Sequence, residues 1–259
     1  MIARPAALAG MFYPAEPAML KRTVAELCAA APAPGNGAKV IIAPHAGYPY
    51  SGLTAAHAYR QLEARRDLIR RVVLLGPTHR VYLKGMAVPS VDAFTTPLGD
   101  VLIDADGIRQ AQEVPAVQVS DEAHANEHSL EVHLPFLQTV LDDFLLIPIA
   151  VGVCTARHVE ALLDALWGGD ETAIVISSDL SHFHSYTEAR EIDANTTARI
   201  EALESNLHGE DACGANALNG LMLAARARGL NVRTLDVRNS GDTAGDKFRV
   251  VGYGAYALE

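Results

Sequence analysis

Three histidines, His45, His79 and His182, each stand a few residues beyond a short run of aliphatic residues. Val40-Ile41-Ile42 leads into Pro44-His45-Ala46-Gly47-Tyr48, and Val72-Val73-Leu74-Leu75 leads into Gly76-Pro77-Thr78-His79-Arg80. Ala173-Ile174-Val175-Ile176 leads into Ser177-Ser178-Asp179-Leu180-Ser181-His182. Imidazole is a metal ligand and an acid/base at neutral pH. A single histidine at a strand end is ordinarily a packing or capping residue. Three that arrive by the same route meet in the crevice beyond the carboxyl ends of the strands, where open α/β sheets bind ligands. Burying several imidazoles together without a metal or a substrate strands polar atoms, so the pattern predicts a polar, metal-binding pocket.

Two further segments could contribute. In Glu127-His128-Ser129-Leu130-Glu131-Val132-His133, a helix would set His124, His128 and Glu131 at i, i+4 and i+7, on one face. A histidine pair at that spacing can hold a metal, although a solvated face is the ordinary reading. The turn-rich stretch Arg238-Asn239-Ser240-Gly241-Asp242-Thr243-Ala244-Gly245-Asp246 is a surface loop on the plain reading. On the sharper one it brings Asp242 to the crevice as a carboxylate ligand. Two histidines and a carboxylate on three loops is the facial set of non-haem iron sites, with positions left open for substrate and oxygen. His57, His158 and His208 read as structural or surface residues, and His184 is expected to face away from His182. GxSxG, HExxH and P-loop motifs are absent, so no familiar nucleophile or phosphate cradle supports a hydrolase.

The elements that must position these residues alternate. Besides the three runs above, strands are expected at Leu145–Ile149, Val232–Val237 and Val250–Tyr256. Helices are expected at Pro17–Ala30, Leu53–Leu62, Ser129–Leu141, Ala156–Leu166, Glu188–Leu203 and Cys213–Arg228, with Pro135 kinking the third or marking its first turn. Continuous rather than alternating hydrophobicity belongs to a mostly parallel sheet covered on both faces. The prediction is a single α/β/α domain over residues 1–259, with a β-excursion on the sheet edge at 85–104. The Pro/Gly-rich stretch Ala31 to Gly37 comes too early to separate two domains.

Composition narrows the partners. The net charge of −10, with no dense run of Lys or Arg, opposes nucleic acid. Cys28, Cys154 and Cys213 are far apart and form neither a disulfide framework nor a zinc knuckle, which suits a reducing cytosol. With no signal peptide or transmembrane stretch in view, the expected location is the cytoplasm, without membrane association.

Together the segments resemble the MEMO family, known in prokaryotes as the B protein of the AmmeMemoRadiSam group. The resemblance runs from Arg4-Pro5-Ala6-Ala7-Leu8-Ala9-Gly10-Met11-Phe12-Tyr13-Pro14 through Ala43 to Tyr48, Ser51-Gly52 and Gly76 to His79. It continues through Glu127 to Glu131, Leu134-Pro135-Phe136, Ser177 to His182, Asn239 to Asp242 and Val251-Gly252-Tyr253. That family is similar in fold to the class III extradiol ring-cleaving dioxygenases. In those enzymes two histidines and a carboxylate hold Fe(II), and a further histidine is the acid/base.

Carried over, the resemblance implies His45 and His79 as metal ligands and His182 as the catalytic acid/base or an extra ligand. Tyr48, Glu131 and Asp179 become candidate substrate-binding residues. Vertebrate members carry a cysteine near the C-terminal position, where this chain has Asp242 and no cysteine. A carboxylate is therefore the expected third ligand, with Asp179, His182 or Glu131 as alternatives. The implied cofactor is a divalent metal, Fe(II) first, with copper or zinc able to fill the same site. The implied activity is that of a metal-dependent, dioxygenase-like oxidoreductase on a small substrate. The alternative is a non-catalytic module that recognises a small-molecule or peptide ligand. Implied protein partners are a radical SAM protein and an AMMECR-like protein.

Overall fold

The continuous apolar runs become the central strands of one sheet in the computed structural model, which describes residues 1–35 and 37–259. Asn36, in the Pro/Gly-rich loop, lies outside the described residues. β1 (Ala3–Arg4) and α1 (Pro17–Ala30) precede β2 (Val40–Ala43) and α2 (Tyr48–Glu63). β3 (Arg71–Pro77) is followed by the short strands β4 (Met86–Val88), β5 (Ala93–Thr96) and β6 (Gly99–Leu102). Then come α3 (Ala105–Gln112), β7 (Val117–Val119) and the short helices α4 (Asp121–Ala125), α5 (His128–Glu131) and α6 (Leu134–Val140). β8 (Leu145–Val151), α7 (Ala156–Leu166), β9 (Thr172–Ser177) and β10 (Asp179–His184) lead to α8 (Tyr186–Glu201). α9 (Ala215–Ala227), β11 (Val232–Asn239), a 3₁₀ turn at Ser240–Asp242 and β12 (Val250–Leu258) complete the order.

The main sheet runs β10-β12-β2-β9-β3-β8-β4-β7, with β11 also paired to β12. Its centre, β2-β9-β3-β8, is parallel. Alternate residues of these strands feed two cores. Ile41, Val72, Leu74, Val175 and Leu146 pack with α1, α2 and α6, including Leu20, Val24, Ala55, Tyr59 and Leu137. Val40, Ile42, Val73, Leu75, Ile174 and Ile176 pack with α7 and α9, including Val159, Leu162, Leu218 and Leu221. Because both faces are covered, alternation never exposes a polar row, and the sequence reads as unbroken apolar runs. The expected α/β/α arrangement is present.

Several expectations change in detail. The sheet flanks are antiparallel, at β10·β12, β12·β2 and β4·β8. Of the 85–104 excursion, β4 joins the main sheet, whereas β5 pairs with β1 and with β6 in a separate three-stranded sheet. Ser129–Leu141 is two helices, because α5 ends before His133 and Pro135 opens α6. α4 and α5 are likewise separate, so His124, His128 and Glu131 do not share one helix face. The segment expected as a loop ending in His182 continues as β10.

Candidate metal centre

β9 lies between β2 and β3 and is parallel to both, so His45, His79 and the Ser177–Asp179 segment leave the sheet at the same edge. A third imidazole arrives from the other direction. His128 is the first residue of α5, which packs directly on β3 at Gly76. A Cβ at Gly76 would stand 2.8 Å from Ser129 Oγ and 2.9 Å from a Leu130 methyl, so only glycine allows this approach. One ligand atom from each of His45, His79 and His128 lies within 4.8 Å of the others. The ring centroids are 5.1 Å apart for His45 and His79, 5.3 Å for His45 and His128, and 4.6 Å for His79 and His128.

Hydrogen bonds fix which nitrogens are free. Ser177 Oγ has one proton and gives it to the Ser129 carbonyl at 2.6 Å. Its oxygen must then accept from His45 Nδ1, also at 2.6 Å, which leaves Nε2 of His45 with its lone pair. Burial, with the neighbouring imidazoles adding to it, pushes the His45 pKa well below the usual value and keeps the ring neutral. Glu127 Oε1 accepts from His79 Nδ1 at 2.9 Å and from the Ser129 amide at 3.0 Å, which frees His79 Nε2. His128 Nδ1 lies 3.2 Å from the same oxygen but off the line of a hydrogen bond. Burial works against the charge on Glu127. The nearby His128 ring and the hydrogen bonds from His79 and Ser129 outweigh it and hold the carboxyl far below the usual range. Carboxylate–imidazole pairs of this kind set the tautomer and orientation of metal-binding histidines.

Asp179 Oδ1 accepts the His45 amide at 2.8 Å, and its Oδ2 lies 3.9 Å from His45 Nε2. Cys213 Sγ is 3.4 Å from the same nitrogen. A cavity of about 700 Å³ opens beside the cluster, lined by His79, His182, His184 and Cys213 together with Ile192, Glu210 and Asp211. A larger hollow of about 880 Å³, lined by Lys21, Arg70, Gln138 and Asp142 among others, has no histidine or cysteine in its wall.

The sequence model of the Memo-like protein family matches residues 4–257. The chain belongs to that family. The chain is 36% identical to the MEMO1 family protein of Aquifex aeolicus over 265 residues, covering 98% of each. It is 34% identical over 276 residues to the MEMO1 family protein MK0963 of Methanopyrus kandleri, covering 97% of each. Among solved structures, an uncharacterized protein of Escherichia coli K12, JW3007, matches with a TM-score of 0.54 at 13% identity. The match covers 83% of this chain and 98% of that one. At that identity the likeness speaks for the fold alone.

For this Memo-like chain the structure redistributes the predicted site residues. His45 and His79 come together, and His182 lines the adjoining cavity. His184 lines it too, rather than facing away, because Phe183 between them adopts a left-handed φ of 66° and breaks the strand alternation. Asp242 stays outside the imidazole group. Its two oxygens accept from the Tyr186 hydroxyl at 2.6 Å and the Asn239 amide at 3.0 Å, in a separate hollow with Arg190 and Arg238. Glu131 is fully buried and structural: it pairs with Arg4 at 2.6 Å and accepts from Ala7 N, Leu8 N and Tyr13 Oη. Tyr48 is buried as well and donates to the Val132 carbonyl at 2.7 Å. Asp179 touches His45 rather than open space. The third side chain of the group is His128, where the resemblance implied a carboxylate. Its signal was the carboxylate beside it, Glu127, which bonds to His79 and stands 3.2 Å from His128. Among the described residues no helix is long and apolar enough to cross a membrane.

Proposed function

We propose that this Memo-like protein is a metal-dependent oxidoreductase that holds Fe(II) on His45, His79 and His128 and acts on a small substrate in the adjoining cavity. The observation that carries this reading is three imidazoles whose ligand atoms lie within 4.8 Å, two of them with Nδ1 already committed to a hydrogen bond. Imidazole donors suit iron, zinc and copper. A divalent ion bound there supplies Lewis acidity and open positions for substrate and oxygen. The protein's part is to keep the His45 ring neutral through burial, to aim His45 and His79 through Ser177 and Glu127, and to admit substrate past His182 and His184. His182 would move a proton to or from a substrate in the cavity, a role that commonly contributes about 10²–10⁴ in rate.

Anaerobic Fe(II) titration tests the assignment. Wild type should bind one equivalent, each of His45→Ala, His79→Ala and His128→Ala should lose stoichiometric binding, and His182→Gln should bind as wild type does. Equal binding by wild type and the three alanine variants would overturn it. A screen of catechol-like substrates with the loaded protein then asks for turnover that His182→Gln lacks.

One observation favours a second reading, ligand recognition without chemistry. Phe183 is 60% exposed on a strained backbone, with its ring 5.7 Å from that of His182 and Arg249 over its face. An aromatic held out at such cost suits a binding rim. Tight peptide or small-molecule binding with no turnover would favour it.

A further inference from the structure

Arg4 and Glu131 are 5% and 0% exposed and pair at 2.6 Å, yet neither belongs to the imidazole group or to the cavity wall. A buried ion pair is weak evidence for stability, because desolvating two charges offsets their attraction. What this pair holds matters more than that it forms. The Arg4 guanidinium donates from Nε to the His124 carbonyl at 2.6 Å, from Nη2 to the Glu127 carbonyl at 3.0 Å and from Nη1 to Glu131 Oε2. Those two carbonyls flank the break between α4 and α5, and Glu131 is the last residue of α5. α5 is a single turn of four residues, too short to persist alone. One guanidinium thus holds the turn at both ends. Glu131 completes the clamp: Oε1 accepts from Leu8 N at 2.8 Å and the Tyr13 hydroxyl at 2.6 Å, and Oε2 also accepts from Ala7 N at 2.9 Å. The carboxylate gathers residues 4–13 around the end of α5.

We propose that Arg4, through this pair, is a positioning residue of the metal centre: it sets α5, and with it His128 and the Glu127 carboxylate that orients His79. The inference rests on the metal reading above and deepens it by making residues 4–13 part of the site. Three contacts connect that segment to the ligands. Glu127, whose carbonyl Arg4 holds, carries the carboxylate that accepts from His79 Nδ1 at 2.9 Å. His128 opens the turn that Arg4 clamps, and the Phe12 ring lies 4.9 Å from its ring. The Phe12 carbonyl accepts the Tyr48 amide at 2.8 Å, which ties the segment to the first residue of α2, just after His45. The chemistry of the clamp asks for arginine. A planar fork of donors spans two carbonyls and a carboxylate at once, whereas a lysine ammonium is a point charge on a flexible stem. A metal centre tolerates displacements of only about 0.5 Å in its donors, so a loose turn costs affinity even where the fold survives.

Separating stability from affinity tests this. Arg4→Met combined with Glu131→Gln removes both charges together, so neither is left buried without its partner, and such replacements commonly leave stability near its original level. The metal-free double variant should unfold near the wild-type midpoint, yet bind Zn(II) about 10–100-fold more weakly and show altered Co(II) ligand-field bands. Arg4→Lys, which keeps the charge but not the fork, should show a smaller loss in the same direction. A folded double variant that binds Zn(II) as tightly as wild type, with the wild-type cobalt spectrum, overturns the positioning role and leaves the histidine site standing. Reciprocity supplies a measurement on wild type alone, because a clamp that favours the bound metal must itself be favoured by it. Saturating Zn(II) should slow hydrogen exchange at the Ala7 and Leu8 amides by a larger factor than at the amides of α7, which packs in the other core. Equal slowing at both overturns the proposal, whether or not the variants fold. No Zn(II), Co(II) or Fe(II) binding by wild type overturns the metal reading and this inference with it.

Discussion

Ser177 shows how one side chain can decide the chemistry of another. With its only proton committed to the Ser129 carbonyl, it sets hydrogen on His45 Nδ1, and turning the hydroxyl toward His45 would give up the bond to that carbonyl. Ser177→Ala should therefore weaken metal binding by about 10–100-fold, the usual cost of removing an outer partner of a metal-binding histidine. It should also cost about 1–3 kcal/mol of stability through two buried groups left unpaired. Isothermal titration and denaturant unfolding measure the two effects, and unchanged affinity would show that the tautomer is set some other way. His45 and His79 were legible in the sequence because each follows an unmistakable buried strand. Ser177, His128 and Cys213 were harder. Ser177 looks like any residue ending a strand, His128 sits in a segment whose helix breaks after Ala125, and Cys213 meets His45 only through a contact 168 residues apart in the chain.

At the scale of elements, the site depends on how closely α5 approaches β3. Gly76 is the point of contact, with Ser129 Oγ also donating to the Pro77 carbonyl at 2.7 Å. Gly76→Ala would drive a methyl into Ser129 and Leu130, and overpacking of this kind typically costs about 1–3 kcal/mol. The displaced α5 carries His128 and the N-cap Glu127, so metal affinity should fall together with stability. A variant that loses stability but binds metal as wild type does would place the rigidity of the cluster elsewhere. The long elements were readable: α1 and α7 begin and end where the hydrophobic period puts them, and β2, β3, β8 and β9 coincide with the aliphatic runs. What escaped the sequence was short or non-local. α3, α4 and β7 are only eight, five and three residues long, and whether β4 and β5 share a sheet is decided by tertiary pairing, not by the residues between them.

Taken whole, the molecule buries more histidine than the metal centre uses, and this sets its response to acid. His124 donates Nε2–H to the Ala87 carbonyl at 3.0 Å, and its Nδ1 is buried without a partner. Burial outweighs that hydrogen bond and lowers its pKa to about 4. His133 meets the Tyr59 hydroxyl at 2.6 Å through Nδ1, and burial, with His45 nearby, lowers its pKa to about 3. An imidazole in the unfolded chain takes up its proton near pH 6.5. Between that pH and about 4 for His124, or about 3 for His133, the unfolded state binds more protons than the folded one. Stability must then fall as pH falls, by up to about 1.4 kcal/mol per pH unit for each group, while above pH 6.5 neither contributes a slope. His45, also held neutral by burial, acts in the same direction in metal-free protein. Burial raises the pKa of Asp179 and Asp193, and these carboxyls act the opposite way, favouring the folded state as they take up protons in acid. The metal-free protein should accordingly lose unfolding free energy steadily from about pH 6.5 to 5. His124→Asn, which keeps a donor for Ala87 and removes one titrating ring, should flatten that loss by up to one group's share. A free energy of unfolding that stays level from pH 6.5 to 5 would mean that these rings reach solvent, and with them the core beneath the metal site.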